Sequence, residues 1–221
     1  MSKGFKLLIS GTSNAGKTTL TKDLENTLVI SHDGKAYPFE VPHALMTDVV
    51  SAGAIIDFVN DKVATYQDKF GELPANIVFD SVSRIYESLY DSCSSRFTGF
   101  AIYSNLDKEI KEFADFLEAI LGSGVNLIII SHALFDSDEN KYNLVGKGSF
   151  AKLGGFLSVV DEGIFVETKG DKRILHFNST KFPARTLLLD QPKSMPIGDF
   201  KLQDHVKKLS DSGDKASAFT L

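Results

Sequence analysis

The stretch Gly11-Thr12-Ser13-Asn14-Ala15-Gly16-Lys17-Thr18 decides the fold, because it fits the phosphate-loop pattern GxxxxGK[ST] at every specified position. The apolar run from Phe5 to Ile9 is typical of a buried strand that enters such a loop, and the residues from Thr18 to Glu25 predict the helix that leaves it. The two glycines let the backbone turn tightly, so that successive N–H groups can point at a phosphate. The stretch predicts a nucleoside triphosphate site, and the alternative is a glycine-rich turn that binds nothing.

Each residue type in this loop has a chemical reason to be there. Lys17 is predicted to reach the β- and γ-phosphates as a point charge, and the Thr18 hydroxyl is predicted to bind Mg²⁺. The backbone from Gly11 to Thr18, together with Thr19, would cradle the phosphates at the start of the helix. ATP and Mg²⁺ are therefore the expected cofactors.

Composition limits the class of protein. The chain has 221 residues, of which 43% are hydrophobic and 24% charged, which is typical of a soluble α/β domain. Its net charge of -5 argues against a protein that coats nucleic acid by bulk charge alone. The single cysteine, Cys93, excludes an internal disulfide and suits a reducing cytosol. The sequence has no apolar run of membrane-spanning length and leaves no room for a signal peptide before its first strand, so we expect a cytoplasmic protein.

A second nucleotide signature follows at Asn76-Ile77-Val78-Phe79-Asp80-Ser81, an apolar strand that ends in a carboxylate. A Walker B strand delivers one acid from a buried strand tip to the Mg²⁺ beside the phosphate loop, and Asp80 is in position to do so. The alternative is an aspartate that caps the next helix. Together with the phosphate loop, the pattern favours the metal role.

Apolar runs alternate with helical patterns through most of the chain, which predicts an α/β fold with a mostly parallel central sheet flanked by helices. Thr27 to Ser31, Val125 to His132 and Leu157 to Val160 are further predicted strands, and strands around a turn at Lys169 to Lys172 predict a C-terminal antiparallel hairpin. Ser92 to Asn105 and Asp136 to Gly148 have the composition of loops. We predict a core over residues 1–190 and a C-terminal extension over residues 191–221, with a short helix near Phe200 to Leu209 and a frayed polar tail from Ser210 to Ser217.

The strand tips together resemble the ATPase core of the RecA family. Phe79-Asp80-Ser81-Val82 resembles its Walker B motif, and Asp33 lies where that family has its catalytic carboxylate, usually the longer Glu. His132 lies where the family has a polar γ-phosphate sensor, commonly Gln. Lys181 and Arg185 resemble cations offered to the ATP of a neighbouring subunit. The resemblance thus implies a RecA-like P-loop NTPase core and a catalytic set consisting of Lys17, Asp33, His132, Lys181 and Arg185. Asp33 in a tight turn with Gly34, a strand-end histidine and solvated surface cations are the structural alternatives.

The size and motif order are similar to those of core-only RecA-like ATPases of phages, which are implicated in single-strand DNA annealing and recombination. This resemblance implies a magnesium-dependent, DNA-stimulated ATPase. It also implies a homo-oligomer, either a ring or a filament, with ATP bound between subunits. The implied partners are single-stranded DNA and a single-strand binding protein, and the implied location is the host cytoplasm.

Single strands are usually held by cations that follow the phosphates and by aromatic faces that stack on bases. Two predicted loops offer this combination, one with Arg96, Phe97 and Phe100, the other with Lys141, Tyr142 and Lys147. The alternative is that these aromatics pack on their own domain while the acidic residues nearby repel phosphate.

Two other functions fit the same loop. A small-molecule kinase would use it equally well, but such kinases usually close an arginine-rich lid, and the segment from Asp136 to Gly148 contains no arginine. A slow nucleotide-dependent switch module is the other alternative.

Overall fold

A computed structural model describes residues 4–34, 36–146 and 155–217. The strands are β1 (Lys6–Gly11), β2 (Thr27–Ser31), β3 (His43–Leu45), β4 (Asn76–Asp80), β5 (Asn126–Asp136), β6 (Lys141–Leu144), β7 (Glu162–Lys169), β8 (Lys172–His176) and β9 (Ser194–Pro196). The α-helices are α1 (Ala52–Phe70), α2 (Val82–Arg96), α3 (Phe100–Gly122) and α4 (Leu202–Ser217). Short 3₁₀ helices cover Thr18–Asp23, Gly155–Ser158 and Ile197–Asp199.

The strands form one sheet in the order β3-β2-β4-β5-β1-β7-β8-β9, and β6 pairs with the end of β5. All pairs from β3 to β7 in this order are parallel, whereas β7/β8, β8/β9 and β5/β6 are antiparallel. The strand with the phosphate loop (β1) is therefore separated from the strand with Asp80 (β4) by one strand, β5. The carboxyl ends of the parallel strands meet at one edge, where open α/β sheets bind ligands.

Both faces of the sheet are covered, which explains why its central strands are apolar without alternation. In β4, Ile77 and Phe79 pack with α1, α2 and α3, while Val78 faces the other side. The second face is covered by the 3₁₀ helix after the phosphate loop and by Leu202, Val206 and Leu209 of α4. Successive side chains along a strand point to opposite faces of the sheet, so one apolar strand contributes residues to the hydrophobic cores on both faces.

The predicted fold class is confirmed: this is a P-loop NTPase fold with a mostly parallel sheet, flanking helices and a C-terminal antiparallel hairpin, β7–β8. The turn of that hairpin is at Gly170, which has a φ of 60°. Within the described ranges, no helix is long and apolar enough to cross a membrane. The domain division at residue 190 stays a prediction.

Three local predictions were wrong. The stretch Ser92–Asn105 is helical except for a corner at residues 97–99, because α2 continues to Arg96 and α3 already begins at Phe100. The segment from Asp136 is a hairpin rather than a loop as far as Leu144, because β5 runs to Asp136 and pairs with β6. Residues 155–158 form a 3₁₀ helix where the strand Leu157 to Val160 was expected.

Two helix predictions also need correction. The residues after the phosphate loop form a single 3₁₀ segment, Thr18–Asp23, in place of a longer α-helix. At the other end of the chain, the polar run from Ser210 to Ser217 continues α4 instead of fraying. The apolar stripe of α4 packs on the sheet, and this packing extends the helix beyond what its polar end predicts.

A buried polar pair attaches α4 to the sheet. Glu162 on β7 is completely buried, and its carboxylate accepts hydrogen bonds from the Leu187 backbone N–H at 2.8 Å and from Nε2 of His205 at 3.1 Å. The His205 ring lies against the rings of Phe177 and Phe200. A buried carboxylate left without one of its partners is costly.

We expect His205→Ala to lower the free energy of unfolding by about 3 kcal/mol, because it leaves Glu162 buried with one partner fewer. Urea-induced unfolding measures the change. Lys208→Ala on the exposed face of α4 is the matched control, and it should change the free energy by less than about 0.5 kcal/mol. Equal stability of the two variants would contradict a structural role for the pair.

Candidate nucleotide-binding site

The phosphate loop has the backbone shape that its glycines predict. At Gly11 an added Cβ would lie 2.6 Å from the carbonyl oxygen of Val166 on β7, so no larger residue fits. Gly16 and Asn14 have φ angles of 95° and 61°, a region that favours glycine and tolerates asparagine. These turns carry the chain from β1 directly into the 3₁₀ helix that starts at Thr18.

Lys17 is buried and its ammonium group lies inside the loop. It donates hydrogen bonds to the carbonyl oxygens of Thr12 at 2.7 Å and Gly11 at 3.1 Å, and its Nζ lies 3.5 Å from Nδ1 of His132. These are weak neutral acceptors for a charged group. A phosphate oxygen is a stronger acceptor for the same ammonium, so the side chain is in place to exchange one for the other.

Thr18 and Asp80 meet directly. The Thr18 hydroxyl donates a hydrogen bond of 2.6 Å to Oδ2 of Asp80, which joins the end of the phosphate loop to the tip of β4. Beside them, the Ser81 hydroxyl is buried and has no hydrogen-bond partner among the described residues. Hydroxyl and carboxylate oxygens are ligands that Mg²⁺ prefers.

The donor set fits a magnesium ion of the kind that accompanies nucleotides. The described residues contain no group of three or more His, Cys, Asp or Glu side chains that could enclose a metal. Mg²⁺ usually takes one or two protein ligands and completes its shell with substrate phosphates and water. Thr18 and Asp80 supply such a pair at the foot of the loop.

Strand register brings the other predicted residues to the same edge. Gly11 pairs with His132 across β1 and β5, and Ser31 pairs with Asp80 across β2 and β4. Asp33 follows β2 by two residues, and its Oδ1 lies 3.9 Å from Nε of Arg84. The backbone N–H of His132 donates to the Ser83 hydroxyl at 2.8 Å, which fixes β5 against α2 at the point where its parallel pairing with β1 ends.

A cavity of about 410 Å³ lies above these strand tips. The predicted residues that line it are Ser13, Asn14, Gly16, Lys17, Thr18, Thr19, Asp33, Asp80 and His132. Gly11, Thr12 and Ala15 belong to the same loop but are not part of the lining, and Ala15 is buried beneath it. The structure thus brings the phosphate loop, the Walker B acid and both other strand-tip residues together, while their individual roles stay predictions.

Five residues that line this cavity were not predicted as site residues, and Tyr37 and Arg173 have the largest side chains among them. Tyr37 lies on the segment after β2, and its hydroxyl is 3.3 Å from the Thr21 hydroxyl. Burial raises the pKa of Tyr37 above its usual range, the contact with Thr21 opposes the rise, and the charge of Asp80 adds to it. Arg173 on β8 reaches the loop from the other side. Neither residue belongs to a motif, and only the fold brings them to the loop.

Lys181 and Arg185 do not line the cavity of their own chain. Both are exposed, the Lys181 ammonium lies 5.6 Å from the centre of the Phe182 ring, and the Arg185 backbone pairs with Gly163. Their predicted action on a neighbouring subunit stays a prediction.

The residues predicted to hold DNA are at two separate places. Arg96 ends α2, where it contacts Glu109, Phe97 is half-buried at the corner, and Phe100 is 94% exposed at the start of α3. They lie in a helical corner instead of the predicted loop, because helical hydrogen bonds run through most of that stretch.

The second group lies on the β5–β6 hairpin. Lys141 forms an ion pair with Glu139, and Tyr142 packs between Phe135, Phe165 and Phe182 with ring centres 5.0 to 5.4 Å apart. Lys147 lies outside the described residues. The hairpin also exposes Leu134 and Phe135, at 66% and 50%, which sequence analysis overlooked because they directly continue the buried run of β5.

The sheet order and the cavity together define a P-loop nucleotide-binding domain. A family model described as "AAA domain" matches residues 3–188 of the chain. The chain therefore belongs to the AAA domain family, and its fold and site are those of a nucleotide-binding, ATPase-type domain. No curated protein matches the chain.

Proposed function

We propose that this protein hydrolyses ATP with Mg²⁺, that single-stranded DNA stimulates the hydrolysis, and that the activity serves DNA recombination or annealing. The observation that carries the ATPase proposal is the direct hydrogen bond between Thr18 and Asp80 beside Lys17, within one cavity. A glycine-rich turn that binds nothing would not need a hydrogen bond to a carboxylate on β4, which is two strands away from β1 in the sheet. The DNA part is supported by the resemblance to RecA-like phage ATPases and by the exposed hairpin.

The proposed hydrolysis divides the work among the residues of the cavity. Water attacks the γ-phosphorus, the bond to the ADP oxygen breaks, and ADP and phosphate leave. Lys17 neutralises charge that develops on the phosphates, and Asp33 orients the water and accepts its proton. Thr18 and Asp80 would hold Mg²⁺, which screens the β- and γ-phosphate charge when bound.

The Asp33 side chain is part of the wall of the cavity. Its carboxylate lies 3.9 Å from the Arg84 guanidinium, a long contact that holds the group at the cavity wall, and Arg84 also pairs with Glu87 at 2.9 Å. Nδ1 of His132 lies 3.5 Å from the Lys17 ammonium, and we propose that His132 contacts the γ-phosphate when ATP is bound. Because His132 lies two residues before Leu134, where the exposed part of β5 begins, we propose that the β5–β6 hairpin responds to the nucleotide.

The hairpin has the chemistry expected of a single-strand surface. Phe135 offers an exposed ring that packs on Tyr142, which in turn packs on Phe182, and Lys141 next to Tyr142 supplies a cation. Aromatic stacking holds a single strand without regard to its sequence. Since Lys181 and Arg185 lie outside the cavity of their own chain, a homo-oligomer would bring them to the ATP of the next subunit.

We expect single-stranded DNA to raise the rate of ATP hydrolysis, and the rate per subunit to rise with protein concentration because the site is shared. Phosphate release, measured with and without an unstructured oligonucleotide across a range of protein concentrations, tests both. Phosphate transfer to a metabolite with no response to DNA would instead favour a kinase, and a concentration-independent rate would contradict the shared site.

A matched pair of variants tests the DNA surface. Phe135→Ala should weaken DNA binding by about tenfold or more, since stacking is worth about 1–3 kcal/mol per base. Phe70→Ala, at the end of α1 with a similar exposed fraction, should leave DNA binding unchanged. Basal hydrolysis without DNA should be the same in both variants.

A further inference from the structure

Arg173 lies directly against the phosphate loop of its own chain. It is on β8, and a methyl group added at Gly16 would lie 3.1 Å from its Nη1. Its side chain is also part of the wall of the phosphate cavity. The contact comes from the fold, because β8 is two strands away from β1 in the sheet and far from it in sequence.

The guanidinium has no negative partner in the described part of the chain. Among the described residues it forms no hydrogen bond and no ion pair. The loop that it touches has the GxxxxGK[ST] sequence, whose backbone N–H groups bind phosphate. Arg173 is exposed, so its guanidinium can reach a ligand in the cavity, and guanidinium binds phosphate with two parallel hydrogen bonds.

The position along the loop indicates which phosphate it meets. Lys17 marks the end of the cavity near His132 and Asp80, where the β- and γ-phosphates belong. Arg173 and Thr19 also line a second cavity of about 610 Å³, whose lining includes none of Lys17, Asp80 and His132. The boundary between the two cavities is therefore on the α-phosphate side of the loop.

We propose that Arg173 is a nucleotide-binding residue that acts within its own subunit, with its guanidinium on the oxygens of the α- or β-phosphate. This proposal rests on the proposed nucleotide function. It differs from the assignment of Lys181 and Arg185, which would act on a neighbouring subunit. Because ADP also carries the α- and β-phosphates, the proposal predicts that Arg173 contacts ADP as well as ATP.

Isothermal titration of the full chain with ADP and with ATP, in the presence of Mg²⁺, tests the proposal. Arg173→Ala should weaken both nucleotides by the same factor, about tenfold, because both carry the α- and β-phosphates. Lys172→Ala is the matched control, since the neighbouring side chain points to the opposite face of β8, and it should change neither affinity. Arg173→Lys should recover part of the loss.

Several results would overturn the inference. An ADP affinity of Arg173→Ala within twofold of wild type would do so, and so would a loss confined to ATP, which would place the arginine at the γ-phosphate. If wild-type protein bound neither nucleotide, the proposed function itself would fail, and the two failures are thus distinguishable.

A mixing experiment separates action within the subunit from action between subunits. Arg173→Ala and Lys17→Ala proteins are mixed in equal amounts, and hydrolysis is measured at an ATP concentration near the wild-type dissociation constant. We expect the mixture to hydrolyse ATP no faster than the sum of the rates of the two variants measured separately, because no chain in the mixture has both Arg173 and Lys17. Recovery would show that a Lys17→Ala subunit supplies Arg173 to its neighbour and would contradict the proposal.

Discussion

Lys17→Ala is expected to reduce ATP hydrolysis by about two to three orders of magnitude, the usual cost of removing one preorganised donor from a transition state. The ammonium is buried and held within the loop by the carbonyl oxygens of Gly11 and Thr12, so it is already aimed at the phosphates. Alanine removes the charge and leaves the loop backbone in place. Phosphate release under saturating ATP and Mg²⁺ measures the loss.

Lys111→Ala is the control for this variant, because Lys111 is an exposed lysine on α3, away from the cavity. It should hydrolyse ATP at the wild-type rate. Circular dichroism and urea unfolding establish that both variants are folded. If Lys17→Ala kept more than about a tenth of the wild-type rate, the loop could not be the phosphate site that we describe.

Asp80→Asn should lower magnesium-dependent hydrolysis by about two orders of magnitude while sparing nucleotide binding in the absence of metal. The amide oxygen can still accept the hydrogen bond from Thr18, so the local structure survives. The variant loses the negative charge that Mg²⁺ requires from the protein. Hydrolysis is measured against Mg²⁺ concentration, and ADP binding is measured in EDTA.

Asp68→Asn, an exposed position on α1, is the matched control and should behave as wild type. A second outcome is informative. If Asp80→Asn lost ADP affinity in EDTA as well, the carboxylate would be supporting the fold of the loop instead of a metal. Full activity of Asp80→Asn at every Mg²⁺ concentration would contradict the metal assignment outright.

The central part of the fold could be predicted because its signals are local. Thr27 to Ser31 and Asn76 to Asp80 are strands with the bounds that their apolar runs predict, and the phosphate loop is a contiguous motif. The fold class followed from these elements, since parallel strands that alternate with helices have few ways to pack.

Other features depend on contacts that a single segment cannot reveal. The stretch from Ser92 to Asn105 contains four serines and Gly99, yet most of it is helical because α2 and α3 pack on each other and on the sheet. The polar end of α4 is helical for a similar reason, and β6 exists because β5 extends beyond the parallel sheet. Arg173 belongs to the cavity only because β8 follows β7 back past the loop, and no spacing along the chain encodes that proximity.

Strand β5 connects the cavity directly to the exposed hairpin, so ligands at these two places could influence each other through it. It runs from the parallel core through His132, at the cavity wall, to Phe135 on the exposed hairpin, with no turn in between. Three residues of extended chain span roughly 10 Å. Because binding free energies are linked reciprocally, any factor by which a nucleic acid on the hairpin tightens ATP binding must equal the factor by which ATP tightens binding of the nucleic acid. Measuring either affinity with and without the other ligand gives the same coupling free energy from both directions.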